Sequence, residues 1–255
     1  MKLHELTWPK LREVDRDQTV VIAPIASCEQ HSRYLPTFTD SILVGAVAEG
    51  VENTLSDQVM LLPVQWLGAS EHHLPFGGTL TMGVDTHIDM LCELLTPMLT
   101  EGYKRIMLLN GHGGNIDTLH VALRKLQPHY KDRLLTGACY WEIAQNEFAE
   151  ICEGPRKDVG HACEIETAMI MALRPELVQE DEIKDDFTRA SLPDSLRGLF
   201  VAQDMAQTTE RGAVGYPSFA TPENGKRFLE AAIGRVSEVV RALLNQPLPE
   251  YTSEI

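Results

Sequence analysis

A three-layer α/β/α fold with a mostly parallel central sheet is what this 255-residue sequence predicts. Three observations carry the expectation. Short runs rich in Val, Ile and Leu recur along the chain, and segments of helical period separate them. The separations are long enough for crossover connections, which parallel strands require. Polar clusters bearing histidine and glycine follow directly on two of the runs, where ligand crevices of parallel α/β sheets lie.

In chain order, residues 19–25 (TVVIAPI) read as the first strand, and 40–55 as the helix that follows. Residues 59–64 read as a strand, 84–101 as a helix, 105–109 as a strand and 116–126 as a helix. Residues 134–140 close the strand set. A helix is expected around His161 to Ala172, with Ala162, Ile165, Ala168, Met169 and Ala172 as its apolar side. Thr221 as N-cap and Pro222 at the first helical position open a last helix over 222–244. Connections 65–83 and 174–222 are long for such a fold, and long loops tend to carry function or subunit contacts. No repeat or linker interrupts the pattern, so residues 1–255 are expected to form a single domain.

Composition narrows the function. The chain is 44% hydrophobic and 23% charged, which is ordinary for a globular protein. No apolar run approaches the roughly 20 residues of a membrane span, and no apolar signal segment opens the chain. A cytoplasmic protein with no membrane contact is expected. The formal charge of −15, without a Lys/Arg cluster, argues against nucleic acid and points to a small-molecule substrate. Five dispersed cysteines read as reduced thiols rather than a disulfide framework.

Three clusters can do chemistry. Glu29, Gln30 and His31 follow the first strand, with Asp40 nine residues on at a helix start. Asn110 to Asn115 (NGHGGN) follows the third strand, and its glycines let the backbone turn and present His112. His161 and Glu164 are three residues apart, on one face of the expected helix. His, Asp and Glu together suit zinc, manganese or iron. Helix capping is an equally good reading of Asp40 alone, and His4, His87, His120 and His129 read as surface or capping residues. A cysteine hydrolase using Cys28 or Cys163 is the weaker alternative, since no Gly-x-Ser-x-Gly elbow supports nucleophile chemistry of that kind.

The ordered set of motifs resembles the creatininase (creatinine amidohydrolase) family. The matching segments are Glu29-Gln30-His31 with Leu35-Pro36 and Thr39-Asp40; Gly68, His73, Phe76, Gly78 and Thr79; NGHGGN at 110–115; Gly160-His161-Ala162 with Glu164, Glu166 and Thr167; and Gly212, Gly215, Pro217, Ala220 and Gly225. The resemblance implies a metal-dependent amidohydrolase with two divalent ions per chain, active on a small cyclic or formyl amide. It also implies a homo-oligomer, commonly a hexamer. It assigns Glu29, His31, Asp40 and His112 to metal, with Asp40 as the bridge. Creatininase itself completes its second site with a glutamate two residues after the histidine of the glycine motif. Gly114 stands there in this chain, so Glu164 is expected as the fifth ligand. His161 is expected to stabilise the oxyanion or protonate the leaving nitrogen, with Glu164 the other catalytic residue and Glu166 orienting a ligand histidine. His73, Trp141 and Arg33 are expected to bind substrate, Arg33 by gripping a carboxylate or phosphate. Ser32, Arg33 and Tyr34 replace the family's usual Gly, Pro and His, and Lys157 and Gly160 stand where creatininase has a second tryptophan and an acid. These departures point away from creatinine itself. Hydrolysis of an inosose-type cyclic ketone, and a non-catalytic metal-binding role, are the alternatives within the family.

Overall fold

A computed structural model describes residues 1–187 and 199–250. The short helix α1 (Trp8–Arg12) precedes strand β1 (Val20–Ile25), helix α2 (Thr39–Thr54) and strand β2 (Val59–Leu61). Helix α3 (Val84–Thr100), strand β3 (Arg105–Asn110), helix α4 (Ile116–Leu126) and strand β4 (Leu134–Cys139) follow. Helices α5 (Tyr140–Ile143), α6 (Gln145–Ile151), α7 (Glu164–Leu173), α8 (Met205–Thr208) and α9 (Pro222–Asn245) complete the described elements. The strands lie in the order β2-β1-β3-β4 and every pairing is parallel.

Alternate residues of the central strands feed opposite cores, as the two-residue period of a strand requires. Val20, Ile22, Met107 and Leu109 pack with α2, α7 and α9, where Phe148 meets Phe228 edge-on. Val21, Ala23, Ile25, Ile106 and Leu108 pack with α3 and α4 through Leu91, Leu95 and Leu119. The predicted layers are therefore present. Because the strands are parallel, all their carboxyl ends open on one edge.

The boundaries differ where local chemistry overrides pattern. β2 stops at Leu61, short of the expected 64, because Pro63 has no N–H to give the ladder. β4 ends at Cys139, and Tyr140 already begins α5. Asp40 is not a cap: α2 starts at Thr39, with Phe38 in the N-cap position. Thr221 does cap α9, accepting from the Asn224 N–H at 3.2 Å. Connection 65–83 contains a 3-10 turn over Glu71–Phe76, and connection 174–222 lies partly outside the described residues. His4, His120 and His129 are exposed as expected, but His87 is buried on α3. All five cysteines are free thiols.

Candidate metal centre

The edge above β1 and β3 gathers Glu29, His31, Asp40 and His112, each no more than 3% exposed. His31 Nε2 lies 3.0 Å from Asp40 Oδ1. His112 Nδ1 lies 3.1 Å from both Glu29 Oε1 and Asp40 Oδ2. Asp40, the second residue of α2, thus turns one oxygen to each histidine.

Hydrogen bonds behind the rings select their tautomers. His31 Nδ1 donates to the Glu29 carbonyl at 3.1 Å, which leaves Nε2 bare and facing Asp40. His112 Nε2 donates to the Ala69 carbonyl at 3.2 Å, with Ser70 Oγ 3.1 Å away, which leaves Nδ1 bare between two carboxylates. Two central atoms, His31 Nε2 and Asp40 Oδ2, are buried without any hydrogen-bond partner. Electron-rich atoms converging at this spacing need a cation or protons among them. The titration of the groups says the same. Burial alone would lower the His112 pKa, yet the adjacent Glu29 and Asp40 carboxylates push it up to about 10. Burial likewise opposes Asp40's effect on His31, which still rises to about 9. Burial would raise Asp40, but His31 and His112 hold it well below the usual carboxylate range.

The third acid beside the cluster is Glu166, where Glu164 was expected. His161 and Glu164 do not share a helix face, because α7 begins only at Glu164 and Ala162 has a left-handed backbone with φ +47°. Such a conformation costs a non-glycine residue roughly 1–2 kcal/mol, and the short bond from Tyr34 Oη to the Ala162 carbonyl, 2.5 Å, helps hold it. The Glu164 carboxylate points away from the cluster and accepts from the backbone N–H groups of Glu153 and Gly154. Glu166 lies there instead, its carboxylate within 4.8 Å of donor atoms on His31 and Asp40. It also closes a capping box on the Cys163 N–H, so it sits at the third position of the helix by chain geometry. Burial, working against the pull of His31, raises its pKa to about 7. An acid at position 114 has no room: a Cβ there would lie 2.3 Å from the Ala69 carbonyl oxygen and 2.5 Å from His112 Nε2.

A cavity of about 300 Å³ opens over the cluster, with His73, Trp141, His161 and Glu166 among its walls. His161 Nε2 donates to the Gln30 carbonyl at 2.8 Å, so its bare Nδ1 looks toward Glu29 Oε1 at 3.6 Å. Burial and the neighbouring His31 lower its pKa to about 4. His73 is wired the other way: Gln30 Nε2 donates to its Nδ1 at 2.9 Å, which leaves a proton on Nε2, 3.4 Å from Glu29 Oε2. Burial and the surrounding imidazoles keep it neutral. Arg33 is not in the cavity wall. Its guanidinium is largely exposed and pairs with Glu182 at 3.2 Å. Cys163 is unsuited to nucleophilic attack, since burial pushes its thiol up to about 12.

Gln30, which no spacing rule singles out, organises the loops around the cluster. Its amide oxygen accepts from the Ser32 N–H at 2.9 Å, where Ser32 has φ +59° in the place of the family's usual glycine. Its nitrogen reaches His73 and the Gly212 carbonyl, tying three loops together. Its place inside the Glu-Gln-His triplet was the available signal.

Buried Glu, Asp and His donors at the carboxyl edge of a parallel sheet define a protein of the metal-site α/β/α class. The chain belongs to the creatininase family, whose model, described as creatinine amidohydrolase, matches residues 4–240. It is 29% identical over 242 residues to the mycofactocin precursor peptide peptidase of Mycobacterium tuberculosis, covering 89% of this chain and 86% of that one. It is 25% identical to the creatinine amidohydrolase of Pseudomonas putida, covering 93% and 95%. A Bacteroides fragilis protein solved as a creatinine amidohydrolase superposes with a TM-score of 0.82 at 25% identity, covering 98% of both chains.

Proposed function

We propose that this chain is a metal-dependent hydrolase that cleaves the C–N bond of a small cyclic or formyl amide, other than a peptide bond. The observation that carries the reading is that, of three donor triads among the described residues, the two fully buried ones, Glu29/Asp40/His112 and His31/Asp40/Glu166, share the Asp40 carboxylate, while the third joins Glu29, His31 and His161. Glu29, His31, Asp40, His112 and Glu166 would hold two divalent cations, zinc, manganese or iron, Asp40 belonging to both triads. Bound there, they supply an ionised water near neutral pH and a Lewis acid for the substrate carbonyl.

The chain's own groups do the rest. Trp141 gives the planar amide an apolar wall beside the cluster. His73 keeps its proton on Nε2 and donates to the oxygen that gains charge as the carbonyl is attacked. His161, neutral with Nδ1 bare, takes a proton and returns it to the leaving nitrogen. The carbonyls of Glu29, Gln30 and Ala69 hold three imidazoles in the required tautomers. The working molecule is a homo-oligomer, a hexamer by family precedent, and cytoplasmic; light scattering of the pure protein tests the first point. Among the described residues no helix is long and apolar enough to cross a membrane.

Metal analysis of the purified protein should find close to two divalent ions per chain. None should remain after Asp40→Asn combined with His112→Ala, and hydrolysis of cyclic amides and formamides should fall by roughly 10³-fold or more, the scale of losing transition-state charge stabilisation. Chelation should abolish activity and zinc or manganese restore it. A metal-free, fully active protein would falsify the proposal.

A further inference from the structure

We infer that Glu164 is a positioning residue that hangs one wall of the substrate cavity, an inference that rests on the metallohydrolase reading above. Glu164 is 3% exposed, and both its oxygens are engaged by backbone: Oε1 accepts from Glu153 N–H at 2.7 Å and Oε2 from Gly154 N–H at 2.9 Å. The approach is close enough that a Cβ on Gly154 would lie 2.7 Å from Oε2. The two amides begin a stretch, 152–160, with no helix or strand, between the end of α6 and His161.

That stretch is a wall. Val159 and Gly160 line the metal cavity. Lys157, Asp158 and Val159 line a neighbouring cavity of about 210 Å³, which shares Trp141 and Val159 with the first. Within the stretch Arg156 bonds to Asp158 and the Val159 carbonyl and Lys157 Nζ to the Cys152 carbonyl, while the Glu153 side chain accepts from Asn224 Nδ2 of α9 at 2.9 Å. Glu164 supplies the tie that holds the backbone of the stretch's amino-terminal half to α7, beside the side-chain bond of Glu153 to α9, and it leaves from the same first turn of α7 that carries Glu166. Two acids two residues apart therefore divide the labour, one aimed at the metal donors and the other at the wall facing them. A wall held through α7 keeps its distance from Glu166, so the space between them, where the part of the substrate beyond the reacting amide lies, is set by Glu164.

Glu164→Gln is the test. Its amide has one acceptor for two N–H groups, and its own NH₂ faces the other donor. On the zinc-loaded protein, two metal-chelating probes separate the roles: acetohydroxamate, small enough to meet only the metal centre, and benzohydroxamate, whose ring reaches the wall. Calorimetry should show benzohydroxamate weakened by about tenfold or more, and acetohydroxamate and the metal content unchanged. Hydrogen exchange of the Glu153 and Gly154 amides should accelerate by a similar factor. Loss of one metal ion per chain in this variant would overturn the assignment, because Glu164 would then be a ligand. So would unchanged exchange, or equal weakening of both probes. If the unmutated protein binds neither metal nor hydroxamate, the metallohydrolase reading has failed, while exchange at 153–154 still reports whether the tie exists.

Discussion

The two helical layers on this sheet treat buried polarity in opposite ways. The layer of α2, α7 and α9 buries Asp40, Glu52, Glu164 and Glu166, while the layer of α3 and α4 buries chiefly Leu, Ile and Ala, with His87 and Thr118 its polar pair. Both layers bury histidine contacts, yet the outcomes differ. In the first, imidazoles face carboxylates across about 3 Å and the set needs cations or protons to complete it. In the second, His87 Nδ1 donates to Thr118 Oγ1 at 2.8 Å, that hydroxyl donates on to the Asn115 carbonyl, and Nε2 is buried without a partner. The lesson is that burial of a histidine does not mark a site. Convergence of acceptors without donors does.

Three measurements sharpen the contrast. Glu166→Gln in the first layer should lower the metal content from two ions toward one and cut activity by roughly 10³-fold, as for other groups that hold charge at a reacting centre. Retention of both ions there would return the second site to some other acid. Leu95→Ala in the second layer, where Leu95 is fully buried, should cost about 3 kcal/mol of folding stability through lost transfer energy and a residual cavity. Denaturant melts would read that loss, and metal content should not move.

The smallest effect concerns His87. Burial, with the nearby His112, lowers its pKa from 6.5 to about 4, so the folded state binds this proton less readily than the unfolded chain. Its contribution is therefore fully present above pH 6.5 and is lost as pH falls through 6.5 toward 4. Between pH 7 and 5 the loss is about 2 kcal/mol at 1.36 kcal/mol per unit. His87→Gln, which can still donate to Thr118, should flatten that part of the stability profile in chelator-treated protein. An unchanged slope would assign the acid sensitivity elsewhere.

The convergence of Glu29, His31 and His112 was legible in the sequence, since a strand that runs within a few residues into Glu-Gln-His, or ends in Asn-Gly-His, presents those side chains at the sheet edge. Arg33 was not, because an arginine in a loop reads the same whether it faces substrate or, as here, Glu182 at the surface. The choice between Glu164 and Glu166 was not legible either. An i, i+3 spacing is a statement about helices, and one left-handed residue, Ala162, takes His161 out of the helix that the spacing assumed.

The sequence by itself determined the alternation of strands and helices, the capping of α9, and the residue types gathered beyond β1 and β3, because hydrophobic period, N-cap chemistry and glycine turns are local properties. Tertiary structure alone decided the order β2-β1-β3-β4, the tautomer of each histidine and which acid faces Asp40. Those depend on what lies across the interface: a carbonyl from Ala69 behind His112, a carbonyl from Gln30 behind His161, and two backbone amides that draw Glu164 away.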